Sequence, residues 1–66
     1  MVLNKDIGAK IKQLRTQKQM TLKDMSEKTN LSIGFLSQLE RGLTSVATDS
    51  LGKIASVLDV ELTYFL

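Results

Sequence analysis

The chain contains no cysteine, no histidine, no proline and no tryptophan. Without cysteine there are no disulfides and no thiol chemistry. Without histidine the usual general base and the commonest metal ligand are gone too. Two Phe and one Tyr are the whole aromatic content, too little for a platform on which unpaired RNA bases stack. No apolar run approaches the roughly 18 residues of a membrane span, and the N-terminus lacks the apolar core of a signal peptide. There is no Gly-rich phosphate loop, and no two carboxylates are spaced to suggest a catalytic site. The expectation is a non-enzymatic, cytoplasmic protein with no membrane attachment, no cofactor and no metal.

What is present is short and helical in its spacing. The 66 residues suffice for one domain spanning 1–66. A domain of this size buries only about 60% of the surface its unfolded chain exposes, so its stability is modest. The net charge of +2 is unevenly spread. Residues 1–42 hold Lys5, Lys10, Lys12, Arg15, Lys18, Lys23, Lys28 and Arg41 against Asp6, Asp24, Glu27 and Glu40. Residues 43–66 hold Lys53 against Asp49, Asp59 and Glu61. The basic first two-thirds suits either a polyanion or a solvated helix surface.

Ile7, Ile11 and Leu14 recur at helical spacing, which predicts a first helix over about 5–18, capped by Asn4 and with Asp6 in its first turn. Thr21 and Asp24 form an acidic variant of a capping box, and Leu22, Met25 and Ser26 face inward on a helix over 22–29. Asn30 follows, a residue that tolerates positive φ, and Leu31 is a buried plug. Ser32 caps a third helix over 33–41, with Leu36 and Leu39 inward and Gly42 as its left-handed stop. Thr48 is expected to cap a fourth helix whose stripe is Leu51, Ile54, Ala55 and Leu58. Asp59 sits where a left-handed stop is wanted, and Val60, Leu62 and Phe65 begin a short fifth helix. The expected fold is all-α, a compact five-helix bundle.

A recognition helix must enter a major groove about 12 Å wide with small or polar side chains leading. The outward face of the third helix carries Gly34, Ser37, Gln38 and Arg41, flanked by Ile33. Gln can bond adenine twice, and Arg can bond guanine twice or clamp a phosphate.

The segment TLKDMSEKTNLSIGFLSQLERG (21–42) resembles the helix-turn-helix of the Cro/C1-type, or XRE, family of phage repressors and bacterial transcriptional regulators. IGAKIKQLR (7–15) is similar to that family's first helix, and SLGKIASVLDV (50–60) to its fourth. The resemblance covers nearly the whole chain and implies a lambda-repressor-like fold with its helix-turn-helix at about 22–41. It also implies sequence-specific binding of double-stranded DNA and transcription regulation, more as repressor than activator. Such regulators act as dimers on palindromic operators and exclude or recruit RNA polymerase.

By position in the family pattern, Ile33, Gly34, Ser37 and Gln38 lie nearest the bases. Ile33 either presses on a thymine methyl or is simply exposed. Ser32, Arg41, Thr44 and Ser45 fall near the backbone, and Phe35 is either partial core or a backbone contact. Arg15 and Glu40 correspond to an ion pair bracing the first helix against the third, the rival being Arg15 as a free phosphate contact. Four positions depart from the pattern. Leu22 replaces a phosphate-contacting Gln, so that contact passes to Lys23. Ser26 stands for a small Ala, Asn30 for the turn Gly, and Glu61 for a small polar cap.

Leu62, Tyr64, Phe65 and Leu66 are more apolar than a monomer leaves exposed, and are expected to form a homodimer surface. The alternative is that Leu62 and Phe65 close the core. The apolar ending also leans toward a domain cut from a longer regulator. The rival functional expectation is an antitoxin-like protein-interaction module with secondary DNA binding.

Overall fold

Helix α1 follows from its apolar stripe: Ile7 and Ile11 are buried, Leu14 is half-buried, and the helix runs Asn4–Gln17. The computed structural model describes residues 4–66, with side chains from residue 6 onward, so the cap expected from the Asn4 side chain lies outside what is described. Helix α2 is Leu22–Thr29, α3 is Ile33–Glu40 and α4 is Thr48–Val57. A 3₁₀ helix, Leu62–Phe65, ends the described chain. The described residues contain no strand.

The expected five-helix bundle is therefore corrected to four α-helices and one 3₁₀ turn. The four residues Leu62–Phe65 wind as 3₁₀ instead. Their bonds run from Tyr64 N–H to the Glu61 carbonyl and from Leu66 N–H to the Thr63 carbonyl, the tighter i→i+3 pattern. A second correction concerns the start of α4. Its N-cap is Ala47, with no side-chain cap bond, and Thr48 is the first helical residue. Leu51 must point into the core, and its N–H reaches the Ala47 carbonyl at 2.9 Å, which begins the helix one residue earlier than Thr48 would.

Three helices end on the same device. Gln19 (φ 59°), Gly42 (φ 74°) and Asp59 (φ 61°) adopt the left-handed conformation just past α1, α3 and α4. Behind each, two backbone bonds close the last turn. Met20 N–H reaches the Arg15 carbonyl, Leu43 N–H that of Gln38, and Val60 N–H that of Ala55, with the preceding residue bonding three back. Gly42 suits this at no steric cost, and Asp59 tolerates it. Gln19 carries no such propensity, and nothing in the sequence pointed to it.

The core joins Ile7 and Ile11 of α1, Met25 of α2, Leu36 and Leu39 of α3, and Leu51, Ile54, Ala55 and Leu58 of α4. Phe65 closes it from the C-terminal end and is fully buried. Each of these side chains other than Ala55 contributes about 1.5–3 kcal/mol when taken out of water. Leu22, Leu31, Phe35 and Leu62 pack against this cluster but remain half-buried, so the plug expected at Leu31 is only partial. Lys10 of α1 reaches across to the final turn. Its ammonium lies 3.4 Å from the Tyr64 carbonyl oxygen and 5.6 Å from the Tyr64 ring centroid.

Helix α1 approaches the backbone of α3 closely at Gly8. A Cβ there would lie 2.8 Å from the Glu40 carbonyl oxygen and closer still to that of Leu39. Both obstacles are backbone, so neither can rotate away. Gly8→Ala is expected to destabilise the fold by at least about 1–3 kcal/mol through overpacking. Gly52→Ala, where a Cβ would meet nothing within 4 Å, is expected to be neutral or stabilising, because alanine is the better helix former. Urea melts of the two variants check this, and equal stability for both would refute the packing role.

Candidate nucleic-acid interface

Helix α2 starts at a complete capping box. Thr21 Oγ1 accepts from the Asp24 N–H at 3.0 Å, and Asp24 Oδ2 accepts from the Thr21 N–H at 2.9 Å. At the other end Asn30 takes φ 63°, ψ 24°, and its N–H reaches the Ser26 carbonyl at 2.8 Å. The chain then turns through Leu31, and Ser32 caps α3 by accepting from the Phe35 N–H at 3.0 Å.

Thr29 holds this turn and was not foreseen from the sequence. It is a buried polar residue, 3% exposed. Its hydroxyl donates to the Met25 carbonyl at 2.6 Å and accepts from the Leu31 N–H at 3.3 Å. The donor that the left-handed turn would orphan is thereby satisfied inside the protein. The available signal was a β-branched hydroxyl one residue before the positive-φ Asn.

The far end of α3 is held by Arg15. Nε lies 2.6 Å from Glu40 Oε2 and Nη2 lies 2.9 Å from Glu40 Oε1, a two-pronged pair, while Nη1 donates to the Met20 carbonyl at 2.8 Å. The side chains are only 11% and 6% exposed. Hydrogen bonding to Glu40 raises the Arg15 pKa, more than partial burial lowers it, and the charge of Glu40 adds to the rise. One guanidinium thus ties α1, the α1–α2 turn and α3 together.

With Leu36 and Leu39 buried, α3 turns its other face outward. Ile33 is 47% exposed, Gly34 and Gln38 are exposed, and Ser37 is half-buried beside them. Arg41, the C-cap, is exposed with Nε 3.4 Å from the Ser37 carbonyl. Lys23, Ser32 and Ser45 are exposed, and Thr44 is half-buried. Phe35 rests partly on the core. Leu22, at the place of the pattern's Gln, likewise packs on the core and leaves exposed Lys23 as the polar neighbour.

At the C-terminal end the four apolar residues separate. Tyr64 and Leu66 are 46% and 65% exposed, Leu62 is half-buried and Phe65 has no exposed surface. Phe65 therefore leaves the set expected to meet a partner, because it is needed to close the core.

Two expected outcomes test these attachments. Arg15→Ala should destabilise the protein by about 3 kcal/mol, because it strands the Glu40 carboxylate. The Arg15→Met/Glu40→Leu double variant should lose much less than the sum of the single changes. A denaturation cycle measures this, and strictly additive losses would remove the pair as a coupled unit. The second outcome concerns pH. The Thr21 backbone N–H, then the Thr21 side chain, and lastly the charges of Lys28 and Lys23 hold the Asp24 carboxyl below its ordinary value of 3.8. A carboxyl lowered on folding stabilises the native state above its ordinary pKa and loses that contribution as pH falls through the lower folded value. Melting temperature should therefore fall more steeply below about pH 4 for the wild type than for Asp24→Asn.

The helix-turn-helix family model HTH_3 matches residues 11–65. The HTH-type transcriptional regulator SinR of Bacillus subtilis is 39% identical over 57 residues, covering 85% of this chain and 51% of that protein. The SinR of Bacillus licheniformis matches equally. The chain thus spans about half the length of these curated relatives. Among solved structures, the clp gene regulator ClgR from Corynebacterium glutamicum superposes with a TM-score of 0.91 at 29% identity, covering 98% of this chain and 69% of that one. An HTH_3 family transcriptional regulator from Vibrio cholerae gives 0.88 at 32% identity, covering 96% and 35%. With the turn, its caps and the Arg15–Glu40 brace all in place, the chain belongs to the Cro/C1-type (XRE) helix-turn-helix family.

Proposed function

We propose that this chain binds double-stranded DNA sequence-specifically through the outward face of α3 and acts in transcription regulation, as a repressor. The observation that carries this is the division of α3 into a buried face, Leu36 and Leu39, and an exposed face of small and hydrogen-bonding residues. That exposed face is held at both ends by bonds internal to the protein. The relatives named as transcriptional regulators support the regulatory role.

Gln38 reads a base edge, with adenine the natural partner for its amide, and Ser37 reads beside it. Ile33 supplies apolar contact to a thymine methyl. Arg41, Lys23, Ser32, Thr44 and Ser45 contact the sugar-phosphate backbone and set the register without reading sequence. Phe35 lies along that backbone with the part of its ring the core leaves uncovered. Arg15 and Glu40 orient α3 and read nothing.

A single α3 spans too few base pairs for an operator, so two copies bind successive major grooves roughly 34 Å apart on a palindrome. Tyr64 and Leu66, with the exposed part of Leu62, are the apolar surface through which two copies meet. Occupancy of the operator then excludes RNA polymerase.

Selection of bound duplexes from a random pool, at two salt concentrations, tests this directly. The expected result is a palindromic consensus whose affinity falls with salt in proportion to the phosphates contacted. Gln38→Ala should weaken binding to that consensus by about tenfold or more with the fold intact, corresponding to loss of one good base contact. Salt-sensitive binding without a consensus, or unchanged affinity in Gln38→Ala, would defeat the sequence-reading role.

A further inference from the structure

The three glycines of the described helices sit in different surroundings. Gly8 is required by backbone packing against α3. Gly34 and Gly52 are not: a Cβ at either position would meet nothing within 4 Å, and neither has the positive φ that favours glycine. Gly34 differs from Gly52 in its place. It is exposed in the first turn of the eight-residue α3, between Ile33 and the polar pair Ser37 and Gln38 one turn on. Glycine loses more conformational freedom on folding than any other residue, so alanine suits an open helical site better. The fold therefore gives no reason for glycine at 34.

We propose that Gly34 sets the depth at which α3 seats in the DNA groove: its missing Cβ lets the helix backbone approach the duplex and brings Gln38 within reach of a base. Residues three and four apart share a helix face, so the gap at 34 adjoins Ser37 and Gln38. Helical side chains also lean toward the N-terminus, so Gln38 covers surface on the Gly34 side of its own Cα. A methyl group at 34 holds the helix off the groove floor, and a bond made over about 3 Å does not survive a displacement of that size. Gly34 is thus a positioning residue that acts through Gln38. This rests on the DNA-binding role proposed above, which places this face of α3 in the groove.

The test uses a duplex recovered by selection with the wild-type chain, measured by fluorescence anisotropy alongside thermal melts. Gly34→Ala should melt at the same temperature or a few degrees higher, yet bind about tenfold more weakly. Gly34→Ser should weaken binding similarly. Gly52→Ala, the control away from the reading face, should keep wild-type affinity. In a Gln38→Ala background the Gly34→Ala effect should shrink, which a merely structural role would not produce. Binding by Gly34→Ala within about twofold of wild type, or equal losses in Gly52→Ala, overturns the proposal while leaving DNA binding intact. If the wild-type chain itself recovers no duplex, the DNA-binding role fails first and this inference with it.

Discussion

At Gly8, helix α1 meets the last turn of α3 without a side chain between them. Gly8 lies against the carbonyls of Leu39 and Glu40, and seven residues further along α1 Arg15 grips the Glu40 side chain with two nitrogens. The rest of the arrangement hangs from this junction. An eight-residue helix has too few internal bonds to persist alone, so α3 exists as a helix because it is packed and held at its ends. At one end the restraints are Thr29, Asn30 and Ser32. At the other they are Gly8, Arg15 and the left-handed Gly42. Between them the helix can devote a whole face to solvent.

The ion pair contributes direction more than stability. Two charges withdrawn from water lose hydration that their mutual attraction only roughly offsets. What the pair adds is geometry, since a planar guanidinium meeting a carboxylate in two bonds tolerates little rotation. The third bond, to the Met20 carbonyl, extends the same restraint to the turn after α1, where Gln19 takes an unfavoured conformation. The cost of that conformation is offset by the two backbone bonds that close the turn and by Arg15 holding it in place.

Much of this was legible along the chain because the determinants are local. The stripes Ile7–Ile11–Leu14 and Leu51–Ile54–Ala55–Leu58 announced two helices through spacing alone, and nearly all of those side chains are buried. Thr21 and Ser32 announced caps because a hydroxyl or carboxylate near a helix start has one evident use. Asn30, Gly42 and Asp59 announced left-handed stops. Thr48 misled for the same local reason: it is a good cap by type, but the phase of α4 is set by Leu51, and Ala47 fell at the boundary. The Arg15–Glu40 pair was legible only through resemblance, because 25 residues separate its members.

By itself the sequence determined which segments are helical, which side of each is apolar, where the chain can reverse, and that α3 has a polar side to offer. These depend on contacts within about one turn, where spacing and residue type suffice. Only the tertiary structure decided that Gly8 is a packing contact and Gly34 is not, since both are simply helical glycines until a neighbour is placed beside them. It likewise decided that Thr29 closes the turn, that the last element winds as 3₁₀, and that Phe65 belongs to the core while Tyr64 and Leu66 stay outside. For Gly8 and Phe65 the deciding neighbour lies far away in sequence and the folded packing sets it; Thr29 and the last turn bond within four residues, and residue type alone left that geometry open.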